Sequence, residues 1–177
     1  VSRRIGAATA DFKTLCKVWS HSSADNKRKL EIYDACVLSR LLYCLHTAWL
    51  NKAERRKLDA FHCRCLRTIL KIPSSYISHV TNDSVLQQAG VSKLSITLLQ
   101  RQLKYMGSLA IKPSGNILRD TIVQPNTLSL RVSPGAKRRG RPRNTWAKQV
   151  YLHAVVKVAG GAEHLQHLWA GPPSASA

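Results

Sequence analysis

The residues with the clearest chemical role in this chain form a basic strip that places five cations and one proline within seven residues. Pro142 fixes its own φ and keeps Arg141 out of the helical region, while Gly140 lets the backbone lie close to a surface. An extended row of arginines binds polyanions, and the narrow minor groove of A·T-rich DNA accepts it well. We therefore predict a nucleic-acid-binding strip formed by Lys137, Arg138, Arg139, Gly140, Arg141, Pro142 and Arg143. A solvated basic linker or a nuclear-import signal is the alternative.

Cysteine and histidine side chains come near a metal-binding pattern at two places and complete it at neither. Cys63 and Cys65 lie two residues apart in a helical segment, so they point to different faces. His164 and His167 share a helical face but have no third ligand. Since no CxxC or HxxxH spacing supplies a tetrahedral set, we predict no metal site and no cofactor in this chain.

Carboxylates are too few and too dispersed for an acid–base centre. The chain has 9 Asp and Glu residues, and a two-metal site needs at least two that converge. Asp34 and Glu31 lie on one predicted helix among basic neighbours, and no Ser/His/Asp or Cys/His constellation occurs. We therefore predict no catalytic residue, and we expect the chain alone not to be an enzyme.

The overall charge favours a polyanionic partner. The formal charge is +19 and the sequence pI is about 10.4, which is typical of nucleic-acid binders. From Arg101 to Lys157 the chain carries twelve cations and one carboxylate, Asp120. A membrane surface is the competing polyanion, but no apolar run approaches the ~20 residues that span a bilayer. We predict DNA, RNA or an RNA–DNA hybrid as partner, and no membrane.

Cysteine usage indicates the compartment. The chain has five cysteines, an odd number, and no signal peptide pattern. We expect free thiols in a reducing compartment, nuclear or cytoplasmic. Because Val1 is not an initiator methionine, we also expect a piece of a longer protein.

Apolar residues recur at helical spacing along most of the chain, which predicts an all-α fold. Asp25 is a predicted N-cap, Asn51 and Glu54 form a predicted capping box, and Gly90 is a predicted helix end. The almost wholly apolar run from Cys36 to Trp49 predicts a central helix. Expected helices cover about 3–19, 25–49, 51–72, 81–90, 93–110, 116–123 and 144–158. Residues 1–123 then form a helical bundle, 124–143 a basic flexible linker, and 144–177 a short C-terminal helix with a disordered tail.

Five short blocks resemble, in order, the region after the palm of reverse transcriptases from non-LTR (LINE-type) retrotransposons. The matching segments are Ile5–Ala8 with Phe12 and Val18-Trp19, then Val37–Tyr43, then Lys57–His62 with Cys65–Leu70, then His79–Asp83, then Leu98–Gly107, and finally Gly140–Arg143 with Trp146. The last block also resembles an AT-hook through its Arg-Gly-Arg-Pro core. Cys44–Ala48 departs from the small or polar run that is usual in the family.

This resemblance implies an all-α, thumb-like domain that grips template, primer or target DNA. The family's catalytic aspartates and their Mg²⁺ belong to a palm upstream of Val1, so this chain would partner that palm and inherit no catalytic role. Cations on outer helix faces can follow phosphates without reading sequence. The candidate phosphate contacts are Arg55, Arg56, Arg64, Arg67, Arg101 and Lys104; an ordinary solvated helix face is their alternative.

Two other interpretations remain open from the sequence. One is a free-standing architectural DNA-binding module in which a helical domain presents an AT-hook-like arm. The other is a decayed element without function, in which the residues from Ala159 onward are out-of-frame sequence.

Overall fold

The computed structural model describes residues 1–124, 128–131 and 145–170. These residues form helices joined by short connections, and within them the only β pairing is an isolated antiparallel bridge between Val123 and Leu130. The predicted all-α class is confirmed. The helices are α1 (Ser2–Ser20), α2 (Asn26–Tyr33), α3 (Ser39–Leu42), α4 (Lys52–Ile69), α5 (Ser75–Ser78), α6 (Asn82–Ala89), α7 (Leu94–Ala110), α8 (Ile117–Ile122), α9 (Trp146–Ala154) and α10 (Ala162–Ala170).

The second predicted helix is shorter than its apolar pattern indicates. Asp25 caps α2 by accepting a hydrogen bond from the Arg28 backbone N–H at 2.9 Å. A π-helical segment, Asp34–Leu38, then joins α2 to α3. The helix stops there because Cys44 takes a positive φ of 52°, which a right-handed helix cannot accommodate. The predicted continuation to residue 49 is therefore wrong, and a single 3₁₀ turn, Leu45–Thr47, follows instead.

Helix α4 begins and ends through local contacts. Asn51 Oδ1 accepts from the Glu54 N–H at 2.8 Å, and Glu54 Oε2 accepts from the Asn51 N–H at 2.9 Å, which confirms the capping box. At the other end Lys71 has a φ of 57°, and the Ile72 N–H donates to the Arg67 carbonyl at 2.9 Å. This left-handed turn ends the helix at Ile69, close to the expected end at about residue 72.

The described chain divides into two compact units. The first comprises Val1–His46 and Leu50–Leu98, and the second comprises Thr47–Trp49 and the described residues from Leu99 onward. The division falls within the continuous helix α7.

In the first unit α4 is the helix around which the others pack. It contacts α1, α2 and α6, and its own Leu58, Phe61 and Leu66 are buried. Phe12 of α1 meets Tyr33 of α2 edge to face, with ring centroids 5.6 Å apart. Helix α4 therefore occupies the centre of this unit, and Val37, Leu41 and Leu42 of the predicted central run are buried in the same core.

In the second unit, aromatic pairs hold the C-terminal helices. Tyr105 of α7 and Trp146 of α9 have ring centroids 5.8 Å apart, and Tyr151 and Trp169 have centroids 5.9 Å apart. Helix α10 was not predicted as a separate helix, because Gly160-Gly161 indicated an end. Gly160 does end the preceding π-helical segment, Val155–Ala159, in the left-handed conformation, but α10 then buries Leu165.

Candidate nucleic-acid interface

The outer side of α4 carries a line of cations. Arg56, Lys57 and Arg64 are all exposed. At 3.6 residues per turn, Lys57 and Arg64 lie about two turns apart on nearly the same side of the helix. Lys71, seven residues after Arg64, is exposed just past the helix end. Two of these residues, Arg56 and Arg64, were predicted as phosphate contacts, and the structure places both on the outer side.

Three surface hollows surround the C-terminal half of α4, and Thr68 lines all three. A hollow of about 220 Å³ between α1 and α4 is flanked by Lys13 and Arg64. One of about 160 Å³ is flanked by Lys29 and Lys71. The third, of about 330 Å³, lies beside α5 and is lined by Arg64; we call it the α5 hollow. The residues that line these hollows include cations and no carboxylate.

We call this surface the basic face. It consists of Lys13, Lys29, Arg56, Lys57, Arg64 and Lys71. Packing of α1 and α2 against α4 brings Lys13 and Lys29 to the cations of α4. A surface of this kind attracts phosphates by charge without selecting a base sequence.

Four carboxylates of the first unit are bonded within the chain. Asp11 pairs with Arg40, Glu31 with Arg28 and Asp83 with Lys93, each at 2.9 Å. Asp59 accepts from the Ser95 N–H at 2.9 Å and from the Ser95 hydroxyl at 2.8 Å, so it caps α7 from a neighbouring helix. The described residues hold 23 Lys and Arg against 9 Asp and Glu. Even with every carboxylate paired to a different cation, fourteen cations would lack such a partner.

Arg67 has a structural role. Its side chain is buried, and its guanidinium donates to the Pro73 carbonyl at 3.0 Å, the Val80 carbonyl at 2.6 Å and Asn82 Oδ1 at 3.1 Å. These bonds fasten the 73–82 segment to α4. A guanidinium engaged in this way is not available to a phosphate, so we remove Arg67 from the candidate interface.

Arg55 lies at the edge of the packed side of α4. It is half-buried, and its Nε donates to the Leu50 carbonyl at 3.2 Å. Burial lowers the pKa of Arg55, and the nearby charge of Asp59 opposes that effect. Its carbonyl partner lies just before the capping box, which indicates a role in fixing the start of α4.

The remaining predicted contacts lie outside the first unit. Arg101 and Lys104 are both exposed on the part of α7 that belongs to the second unit, as predicted. The basic strip from Lys137 to Arg143 falls outside the described residues, so its role stays a prediction.

The packed side of α4 holds titratable groups in their neutral forms. The Tyr33 hydroxyl and His62 Nδ1 are 3.1 Å apart, and the two rings are stacked with centroids 5.8 Å apart. Burial lowers the pKa of His62 to about 4, although the charge of Asp59 acts in the opposite direction. Burial also raises the pKa of Cys65 to about 12. With these pKa values both side chains are neutral groups in the core at neutral pH.

The described residues were searched for groups of metal ligands and for helices that could span a membrane. Within them, no three His, Cys, Asp or Glu side chains are grouped to hold a metal ion. No described helix combines the length and the apolar character needed to cross a bilayer. The five cysteines, all within the described residues, form no disulfide bond.

Comparison of the chain with known protein families, with curated proteins and with solved structures gave no match.

Sequence reasoning missed four members of the basic face. Lys57 and Lys71 lie seven residues before and after Arg64, and that spacing was a signal that could have identified them. Lys13 and Lys29 lie on other helices. Their approach to α4 depends on tertiary packing, which no local pattern in the sequence reports.

Proposed function

We propose that this chain is the thumb-like, nucleic-acid-binding part of a non-LTR retrotransposon reverse transcriptase, which holds the template–primer hybrid or target DNA through phosphate contacts. The basic face is the observation that carries the proposal. It combines exposed cations on α4 with flanking lysines from α1 and α2. The order of the sequence blocks that resemble the family supports the same conclusion.

Phosphate binding by this face predicts a steep dependence on salt. Each phosphate contact releases counterions, so the affinity of the chain for duplex falls with a slope of about 0.9 per contact on a log–log plot against salt concentration. We expect the full chain to bind a 20-base-pair RNA–DNA hybrid and a DNA duplex, with an affinity that depends little on sequence.

The test is a matched pair of triple variants in the full chain. Arg56→Ala, Lys57→Ala and Arg64→Ala together remove three cations from the basic face. Arg3→Ala, Lys27→Ala and Lys157→Ala remove three exposed cations that are not members of the basic face. The first triple is expected to lower hybrid affinity and to reduce the salt slope by about 2 to 3. The control triple is expected to leave the slope nearly unchanged.

The outcomes separate specific from general charge effects. Equal losses in both triples would mean that total charge, and not the basic face, binds the hybrid. If the wild-type chain binds neither hybrid nor duplex at 50 mM salt, the proposed function is wrong. A third triple, Arg139→Ala, Arg141→Ala and Arg143→Ala, measures the contribution of the basic strip independently.

A further inference from the structure

The α5 hollow combines charge with hydroxyl groups, and the exposed residue Tyr76 directly follows one of its lining residues in the chain. Arg64 and Thr68 of α4 line one side of it, and Ser74, Ser75 and Asn82 line the other. Tyr76, the residue after Ser75, has 89% of its surface exposed, the largest fraction among the large hydrophobic residues described as exposed. Its neighbour Ile77 is exposed as well. A solvent-facing aromatic ring beside a cationic hollow is the arrangement that single-stranded nucleic-acid sites use.

The segment that presents Tyr76 is held in place. Arg67 donates to the carbonyls of Pro73 and Val80, on the two sides of α5. The Ser78 hydroxyl donates to the Pro73 carbonyl at 3.2 Å, and α5 is closed by backbone bonds such as the Ser78 N–H to the Ser74 carbonyl at 2.9 Å. Because the segment is fastened to α4, the ring of Tyr76 is presented at low entropic cost to a ligand.

The charge around the hollow favours an anionic ligand. Arg64 and Arg67 both line it, and no carboxylate does. Asp83, which follows Asn82 in the chain, is paired with Lys93 at 2.9 Å. The volume of about 330 Å³ lies at the low end of the range for small-ligand sites, which suits one nucleotide and not a folded protein surface.

We propose that the α5 hollow binds one unpaired nucleotide of a single-stranded segment, with its base stacked on Tyr76 and its phosphate at Arg64. This inference rests on the proposed function and adds to it a preference for strands that contain an unpaired base. Stacking is tolerant of sequence, because every base has a π face. The contact therefore holds a template overhang or strand end without selecting its sequence.

The experiment compares Tyr76→Ala, Tyr76→Phe and the control Tyr43→Ala in the full chain. Tyr43 is also exposed, at 72%, but it follows α3 and, unlike Tyr76, has no chain neighbour that lines the α5 hollow. Affinity is measured for a labelled 12-nucleotide oligo(dT), for the same strand with abasic positions, and for a blunt 12-base-pair hybrid. Loss of one stacked base is expected to weaken oligo(dT) binding about tenfold in Tyr76→Ala. Tyr76→Phe and Tyr43→Ala are expected to bind as wild type.

The abasic strand makes the test specific for stacking. For the wild-type chain, we expect the abasic strand to bind about tenfold more weakly than oligo(dT). For Tyr76→Ala, we expect the abasic strand and oligo(dT) to bind with equal affinity. Because stacking is not a phosphate contact, Tyr76→Ala should keep the wild-type salt slope and the wild-type affinity for blunt hybrid.

The failure of this inference is distinguishable from the failure of the proposed function. Wild-type affinity of Tyr76→Ala for oligo(dT), with normal hybrid binding, overturns the nucleotide site and leaves the basic face intact. Absence of binding to all three ligands by the wild-type chain overturns both, and then a protein partner is the alternative occupant of the hollow. An equal loss in Tyr43→Ala overturns the assignment to Tyr76.

Discussion

The two sides of α4 use the same residue types in opposite ways. On the packed side, Arg67 and His62 are buried and bonded to neighbours. On the outer side, Arg56, Lys57 and Arg64 are exposed, and the hollows that Arg64 lines include no carboxylate. Arg64 and Arg67 are only three residues apart, so composition does not separate them. What separates them is the 73–82 segment, which covers one arginine and supplies its hydrogen-bond acceptors.

The largest expected effect on stability comes from removing the buried arginine. Arg67→Ala leaves the carbonyls of Pro73 and Val80 without their donor and releases the 73–82 segment from α4. We expect the free energy of unfolding to fall by about 2–3 kcal/mol. A urea titration of the full chain followed by circular dichroism measures the change.

Arg67→Lys is the matched variant for this prediction. Lysine keeps the charge but lacks the planar fork that reaches several acceptors at once, so it should recover only part of the loss. Full stability in Arg67→Ala would show that the segment does not depend on the guanidinium, and the contrast between the two sides of α4 would disappear.

The buried histidine is expected to make stability depend on pH. The pKa of His62 is about 4 in the folded chain and about 6.5 when unfolded, so the unfolded state binds the proton more readily. Its contribution is fully present above about pH 6.5 and is lost as the pH falls towards 4. From pH 7 to pH 5 we expect the free energy of unfolding to fall by about 2 kcal/mol from this residue alone.

His62→Gln keeps a hydrogen-bonding group near Tyr33 and cannot titrate in this range. The difference between wild type and His62→Gln in urea titrations at pH 7 and pH 5 isolates the histidine from the carboxylates, which both proteins share. Parallel pH curves for the two proteins would contradict the assignment of a buried, neutral imidazole.

The local signals in the sequence predicted local structure well. Asp25, the Asn51–Glu54 pair and Gly90 were all recognised as helix ends and act as such, because each of them bonds within one turn. The end of the second helix was missed, since a left-handed Cys44 has no residue signature. The candidate site was predicted only in part. Whether an arginine of α4 is covered depends on segments ten or more residues away.

The capping box at the start of α4 lies on neither the packed nor the outer side of the helix. A substitution there tests how much a local hydrogen bond contributes to the free energy of unfolding, compared with the tertiary bonds of Arg67. Asn51→Ala removes the acceptor of the Glu54 N–H, and such changes cost about 1 kcal/mol. We expect an effect of that size on unfolding, smaller than that of Arg67→Ala, with no change in the salt slope of hybrid binding. Asn51→Asp, another good N-cap, should restore stability; failure to do so would place the role of Asn51 outside the cap.

The smallest expected effect on stability is that of Arg64→Ala, which completes the comparison with Arg67. An exposed arginine without a buried partner contributes little, so the free energy of unfolding should change by less than about 0.5 kcal/mol. Hybrid affinity should nevertheless fall, with a salt slope lower by about 1 for the lost phosphate contact. Arg64 would then contribute to hybrid binding and not to the free energy of unfolding. Arg67, one turn later, would contribute mainly to the free energy of unfolding. If Arg64→Ala instead destabilises the chain as much as Arg67→Ala does, the outer side of α4 is part of the packing, and the basic face is not a free surface.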